Sequence, residues 1–168
     1  GFHNNLGGIH KTLGVDPDIA IFAKAMGNGY PISAVLGRRH IMDTAQESFI
    51  SSTMWTEKIG FTAAIETINK MEKLSVQDRL VENGKKIKKR LCEIAQKFGI
   101  NLKVGGLDSI PTIGFEYENS IELQTYYNQE MIAAGFLASN VIAMSYAHSD
   151  SVIEKYLDKS ESIINNMA

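Results

Sequence analysis

Asp18-Ile19-Ala20-Ile21-Phe22-Ala23-Lys24-Ala25-Met26-Gly27-Asn28-Gly29-Tyr30-Pro31 is the stretch on which the fold turns. The run before the glycines is β-branched and aromatic, and too short for a good helix. It predicts a short buried strand that carries one amine, Lys24, to its end and then folds back. Gly27 and Gly29 supply backbone freedom, Asn28 tolerates left-handed geometry, and Pro31 stops a helix. Ile32-Ser33-Ala34-Val35-Leu36-Gly37 then reads as a second buried strand, which would pair with the first around the lysine.

A lysine between two alanines at the end of an apolar run has two readings. It can snorkel, with its ammonium in water. Alternatively it is desolvated, with a lowered pKa and a free amine able to condense with a carbonyl. Pyridoxal phosphate is the commonest cofactor held by such an amine.

Here the chain resembles a known family. Pro17-Asp18-Ile19, Phe22, Lys24-Ala25, Gly27 to Ile32 and Ala34 to Gly37 resemble the cofactor-lysine segment of class-III pyridoxal-phosphate aminotransferases. That group includes glutamate-1-semialdehyde aminomutase and the omega-aminotransferases. The resemblance covers essentially the whole chain. It implies an α/β fold of the fold-type-I pyridoxal-phosphate transferases, with residues 1–65 the C-terminal part of the cofactor-binding large domain. Residues 66–168 would form a small C-terminal α+β domain.

The resemblance also implies chemistry. Lys24 would be the Schiff-base lysine and proton shuttle for amino transfer between a small amino donor and a keto or aldehyde acceptor. An intramolecular, aminomutase-like transfer is the alternative, and a non-catalytic dimerisation or interaction piece is the reading from another class. In the family, a threonine before a long helix reaches the cofactor phosphate of the neighbouring subunit. Within Ser51-Ser52-Thr53-Met54-Trp55-Thr56, Thr53 is the best match. Thr56-Glu57-Lys58 replaces the family's Gly-Asn-Pro, so a slipped register would make Ser52 or Thr56 the contact. Without the resemblance, these hydroxyls would simply cap the next helix. A homodimer with shared sites follows. The family's paired aspartate and phosphate loop would lie before Gly1-Phe2-His3, so a C-terminal fragment, inactive alone, is expected. His3 stands where many members have arginine.

Composition sets the remaining bounds. With 168 residues and 44% hydrophobic content, the chain reads as globular. A net charge of −2 gives no reason to expect nucleic acid or membrane as a partner. One cysteine, Cys92, cannot form an internal disulfide, which fits a reducing, cytoplasmic setting with a packed or half-packed thiol. His3 and His10 read as solvated loop residues, and no metal site is expected.

Downstream, residues 57–74 read as a helix with Ile59, Ala63, Ile68, Met71 and Leu74 inward. Leu80, Gly84, Ile87, Leu91, Ile94 and Phe98 mark the clearest helix, with Lys85, Lys86, Lys88, Lys89 and Arg90 on a solvated face. Strands are expected at 100–104 and 111–117, with Gly105-Gly106 as their turn. Capping boxes at Asn119–Glu122 and Ser151–Glu154 would open two more helices. The domain boundary is expected within residues 57–78.

Overall fold

Two antiparallel strands, four residues each, hold the lysine stretch. The computed structural model describes residues 2–168, so Gly1 of the Gly1-Phe2-His3 opening lies outside it. The chain divides into two compact units, Gly1–Gln77 and Asp78–Ala168.

In the first unit a short helix, α1 (Ile9–Thr12), precedes β1 (Ile19–Phe22). β1 pairs with β2 (Ala34–Gly37), with Ile19 opposite Gly37 and Phe22 opposite Ala34. Arg38 closes the open end of this ladder. Its guanidinium binds Asp16 at 2.6 Å and Asp18 at 3.2 Å, and its N–H donates to the Asp18 carbonyl. All three side chains are largely exposed, so each pair contributes only about 0–1 kcal/mol. Helix α2 (Arg39–Met42) and a 3₁₀ turn over Asp43–Glu47 follow, then α3 (Ile59–Lys73).

The strand positions match the reading of the sequence, but the expected burial does not. Ile21 is 72% exposed and Leu36 59%, because the sheet has only these two strands and its outer edges are unpaired. On α3 the buried positions are Gly60, Ala64 and Met71. Ile59 and Leu74, expected inside, are exposed, as are Phe61 and Ile65. Helix α3 thus turns Gly60 and Ala64 inward beside Met71, which the periodicity predicts, and the hydrophobicity pattern misjudges its N-terminal half.

The second unit carries the larger core. α4 (Val76–Phe98), whose first two residues belong to the first unit, buries Leu80, Ile87, Leu91 and Ile94, as its periodicity predicts. Each such side chain contributes roughly 1.5–3 kcal/mol on burial. β3 (Leu102–Leu107) pairs antiparallel with β4 (Ile110–Phe115). α5 (Ser120–Ala133) and α6 (Asp150–Met167) complete the core through Tyr127, Met131, Leu157, Ile163 and Ile164. Residues 140–144 lie along β4, with Ile113 N–H donating to Asn140 O and Ile142 N–H to Pro111 O.

Local details differ from expectation for identifiable reasons. Gly105 and Gly106 lie within β3, and the turn falls at Asp108-Ser109. Gly106 has φ +74, and a Cβ there would meet Ile110 O at 2.5 Å, so its glycine serves close strand approach. Asn119 makes no side-chain cap on α5, and α6 is capped by Ser149, whose hydroxyl accepts from Val152 N–H, two residues ahead of the expected box. Cys92 is exposed rather than packed. The basic face of α4 is partly paired: Lys86 with Glu154, Arg90 and Lys97 with Glu161, Lys88 with Asp108.

Between α5 and α6 lies a hydroxyl chain. Ser160 Oγ donates to Tyr156 O and so must accept from Tyr127 OH, which leaves Tyr156 OH to donate to Tyr127. Burial raises both phenol pKa values, so the chain stays neutral.

Gly84 of α4 is the tightest contact of the second unit. A Cβ there would run into the backbone carbonyl of Asp108, which no rotamer change can relieve. Gly84→Ala is expected to destabilise the protein by about 1–3 kcal/mol in urea unfolding. Gly114→Ala, with nothing near its Cβ, is expected to stay within about 0.5 kcal/mol of the parent.

Candidate active site

The turn between β1 and β2 is built from three short-range constraints. Ala23 is extended at φ −158, and Lys24 then enters the left-handed region at φ 52. Lys24–Met26 form a single 3₁₀ turn, and the Lys24 carbonyl accepts from Gly27 N–H at 3.0 Å and Asn28 N–H at 3.1 Å. Asn28 (φ 47) and Gly29 (φ 106) reverse the chain. Gly27 itself takes an ordinary φ of −86, so it supplies space rather than freedom. A Cβ there would collide with Tyr30 O and meet Ile32 Cγ2 at 2.6 Å.

Lys24 therefore lies two residues beyond the strand, on a bend. A left-handed backbone at a non-glycine residue is uncommon and costs about 1–2 kcal/mol. Strain of this kind persists only where the surroundings impose it. The surroundings here include α3, which packs on the 3₁₀ turn. A Cβ at Gly60 would meet Pro31 O at 2.8 Å and Ile32 Cβ at 3.3 Å, so helix and turn touch backbone to backbone.

Lys24 is exposed, and among the described residues its Nζ has no ion-pair or hydrogen-bond partner. It opens on a cavity of about 500 Å³ shared with His3, Asn28, Gly29, Tyr30 and Pro31. The amine is free and reachable, which fits a group that must condense with an aldehyde. The apolar enclosure expected around it is not formed, since Lys24 and the strand before it are largely exposed.

His3 was expected in solvent and is instead half-buried. The Phe2 ring packs edge-on against Phe22, with centroids 6.3 Å apart, and this holds the opening segment over β1. His3 Nδ1 is sealed without a hydrogen-bond partner, and burial pulls the ring's pKa below its ordinary value. His10 also lies against Phe22, at 6.4 Å.

Ser52, Thr53 and Thr56 lie in an exposed irregular segment and do not line the Lys24 cavity. Nor do they cap α3. That role falls to Glu57, whose carboxylate accepts from Ile59 N–H at 2.6 Å and Gly60 N–H at 2.9 Å. These bonds pull its pKa below the ordinary carboxylate value. The sequence signal was the acidic residue just before the helix, which sits favourably on the helix dipole. Trp55 is 59% exposed.

Comparison with known proteins places this geometry. The chain has the fold of the fold-type-I pyridoxal-phosphate transaminases: it overlays the pyridoxal phosphate internal aldimine form of the Sphingopyxis sp. MTA144 FumI protein at TM-score 0.87 and 24% identity. That overlay covers 94% of this chain and 39% of the other. The chain belongs to the class-III aminotransferase family, whose description, "Aminotransferase class-III", matches residues 8–154. It is 32% identical to a 3-aminobutyryl-CoA aminotransferase of Cloacimonas acidaminovorans, across 88% of this chain and 36% of that one. It is 25% identical to a glutamate-1-semialdehyde 2,1-aminomutase of Natranaerobius thermophilus, across 100% of this chain and 43% of that protein. The chain thus spans less than half the length of these relatives.

Two outcomes test the geometry. Lys24→Gly is expected to be more stable than Lys24→Ala by about 1 kcal/mol in unfolding experiments, since only glycine relieves the left-handed backbone. Equal stabilities would remove the strain. For Glu57, the folded pKa lies below the unfolded one, so its contribution is present above the unfolded value near 4.3 and fades as pH falls through the folded value. The melting-temperature gap between parent and Glu57→Gln is expected to be widest at neutral pH and to close in acid.

Proposed function

We propose that this chain forms part of a pyridoxal-phosphate enzyme that moves an amino group between small molecules, with Lys24 as the cofactor lysine. The observation that carries the reading is the unpartnered Lys24 amine, presented on a strained bend into an open cavity. Family membership supports it. When bound, the cofactor supplies an electron sink. Lys24 Nζ would hold it covalently, yield to an incoming amine, and then take and return the proton of the reacting carbon.

Thr53 and Ser52 would serve the cofactor phosphate of a neighbouring copy. Both hydroxyls are exposed, without side-chain partners among the described residues. Glu57 already occupies the Ile59 and Gly60 amides, so hydroxyls rather than these helix amides would make the contact. This arrangement requires a homodimer. No helix among the described residues is long and apolar enough to cross a membrane, in keeping with a cytoplasmic enzyme. An aminomutase reaction is the close variant, supported by the aminomutase that aligns over the whole chain.

The test is borohydride trapping on the full-length protein loaded with pyridoxal phosphate, followed by digestion and mass spectrometry. The pyridoxyl group is expected on Lys24 and absent from that peptide in Lys24→Ala. Label scattered over surface lysines would overturn the assignment. Thr53→Ala is expected to keep the label while raising the cofactor concentration for half-loading by about tenfold, the loss of one hydrogen bond to a charged group. An unchanged half-loading concentration would move the phosphate contact elsewhere.

A further inference from the structure

The groups around Lys24 have one property in common. His3, Asn28 and Tyr30 line its cavity, and each offers polar hydrogen-bonding groups without a fixed charge. Among the described residues, Lys24 is the one cation in that wall. His3 is held neutral by structure. A protonated ring would carry an N–H on Nδ1, which is sealed and has no acceptor, and the unpaired donor in a dry position opposes protonation. Burial lowers its pKa in the same direction. The Phe2–Phe22 contact keeps the residue in place.

While Lys24 holds a cofactor, before it yields to an incoming amine, the wall has no counter-charge for a carboxylate. It retains an imidazole, an amide and a phenol, which suit a hydroxyl or amide group. A site built to hydrogen-bond such a group discriminates strongly against an analogue that leaves its donors unpaired. We infer that His3 is a specificity-determining residue: with Asn28 and Tyr30, it selects amino substrates that present a hydroxyl or another uncharged polar group at this wall, in preference to a carboxylate. The inference rests on Lys24 as the cofactor lysine and names the substrate class of that site.

The test uses the full-length protein and two amine-free probes of equal length, a diol and a hydroxy acid, whose dissociation constants are read by calorimetry. The parent is expected to bind the diol more tightly. His3→Arg introduces a cation and is expected to shift the ratio of the two constants by tenfold or more toward the hydroxy acid. His3→Asn keeps a neutral hydrogen-bonding group and is expected to retain the parent's preference, which a merely structural role for His3 would not produce. The kcat/KM ratio for an amino alcohol against the matching amino acid should move in parallel. Tighter binding of the hydroxy acid by the parent, or a ratio that His3→Arg leaves unchanged, would overturn the inference. Borohydride labelling of Lys24→Ala separates the two levels. Label lost with the ratio unmoved removes only the role of His3. Label retained at this site in Lys24→Ala removes the cofactor-lysine reading and this inference with it.

Discussion

The β1–β2 ladder is the constraint on which the first unit depends. Pairing Phe22 with Ala34 brings together two points eleven residues of chain apart, and those residues must form a compact loop. The ladder is short and exposed, and a lone two-stranded hairpin is marginal in water. Its ends are therefore held by other means. Arg38 ties the far end to Asp16 and Asp18. At the near end, the Lys24 carbonyl gathers two N–H groups, and α3 lies against Pro31 through Gly60. The lysine's position follows from these contacts, without any bond from its own amine.

Much of this arrangement was legible in the sequence, and the missing part has a common cause. Asn28 and Gly29 announced the reversal because few residues accept positive φ. The α4 stripe was unambiguous because its inward residues are large and its outward ones charged. Periodicity placed Met71 correctly but failed on the first half of α3, where Gly60 and Ala64 are buried while Ile59, Phe61 and Ile65 are exposed. A scale that ranks residues by hydrophobicity is blind to contacts that require the absence of a side chain. The same blindness hid the role of Gly27 and misplaced the β3–β4 turn, since glycine marks both freedom and close approach. Glu57 and Ser149 show a second limit. Capping patterns locate a helix start to within a residue or two, but which side chain reaches the amides depends on the approach of the preceding chain.

The candidate site divides along similar lines. Lys24 stood out because an amine between alanines in an apolar run is chemically conspicuous. His3 did not, because nothing local predicts that a histidine near the start of a glycine- and asparagine-rich segment is drawn over β1 by the ring of its neighbour Phe2. The two units also differ in how they are secured. The second has a continuous core from α4 to α6 crossed by a buried hydroxyl chain, whereas the first buries few large side chains. The candidate site lies in the unit with the smaller core, and the larger core carries the basic helix and its ion pairs.

The backbone contact at Gly60 has a further meaning. Helix α3 is fifteen residues long, and at Gly60 it meets the lysine turn with no side chain of its own between them. It works as a gauge block. The spacing between helix and turn is set by bare backbone atoms, which cannot adopt another rotamer as a leucine or methionine could. Whatever displaces α3 along its axis must carry the Pro31 end of the turn with it. The reach of the Lys24 amine is in this sense machined at position 60, with a tolerance smaller than a methyl group.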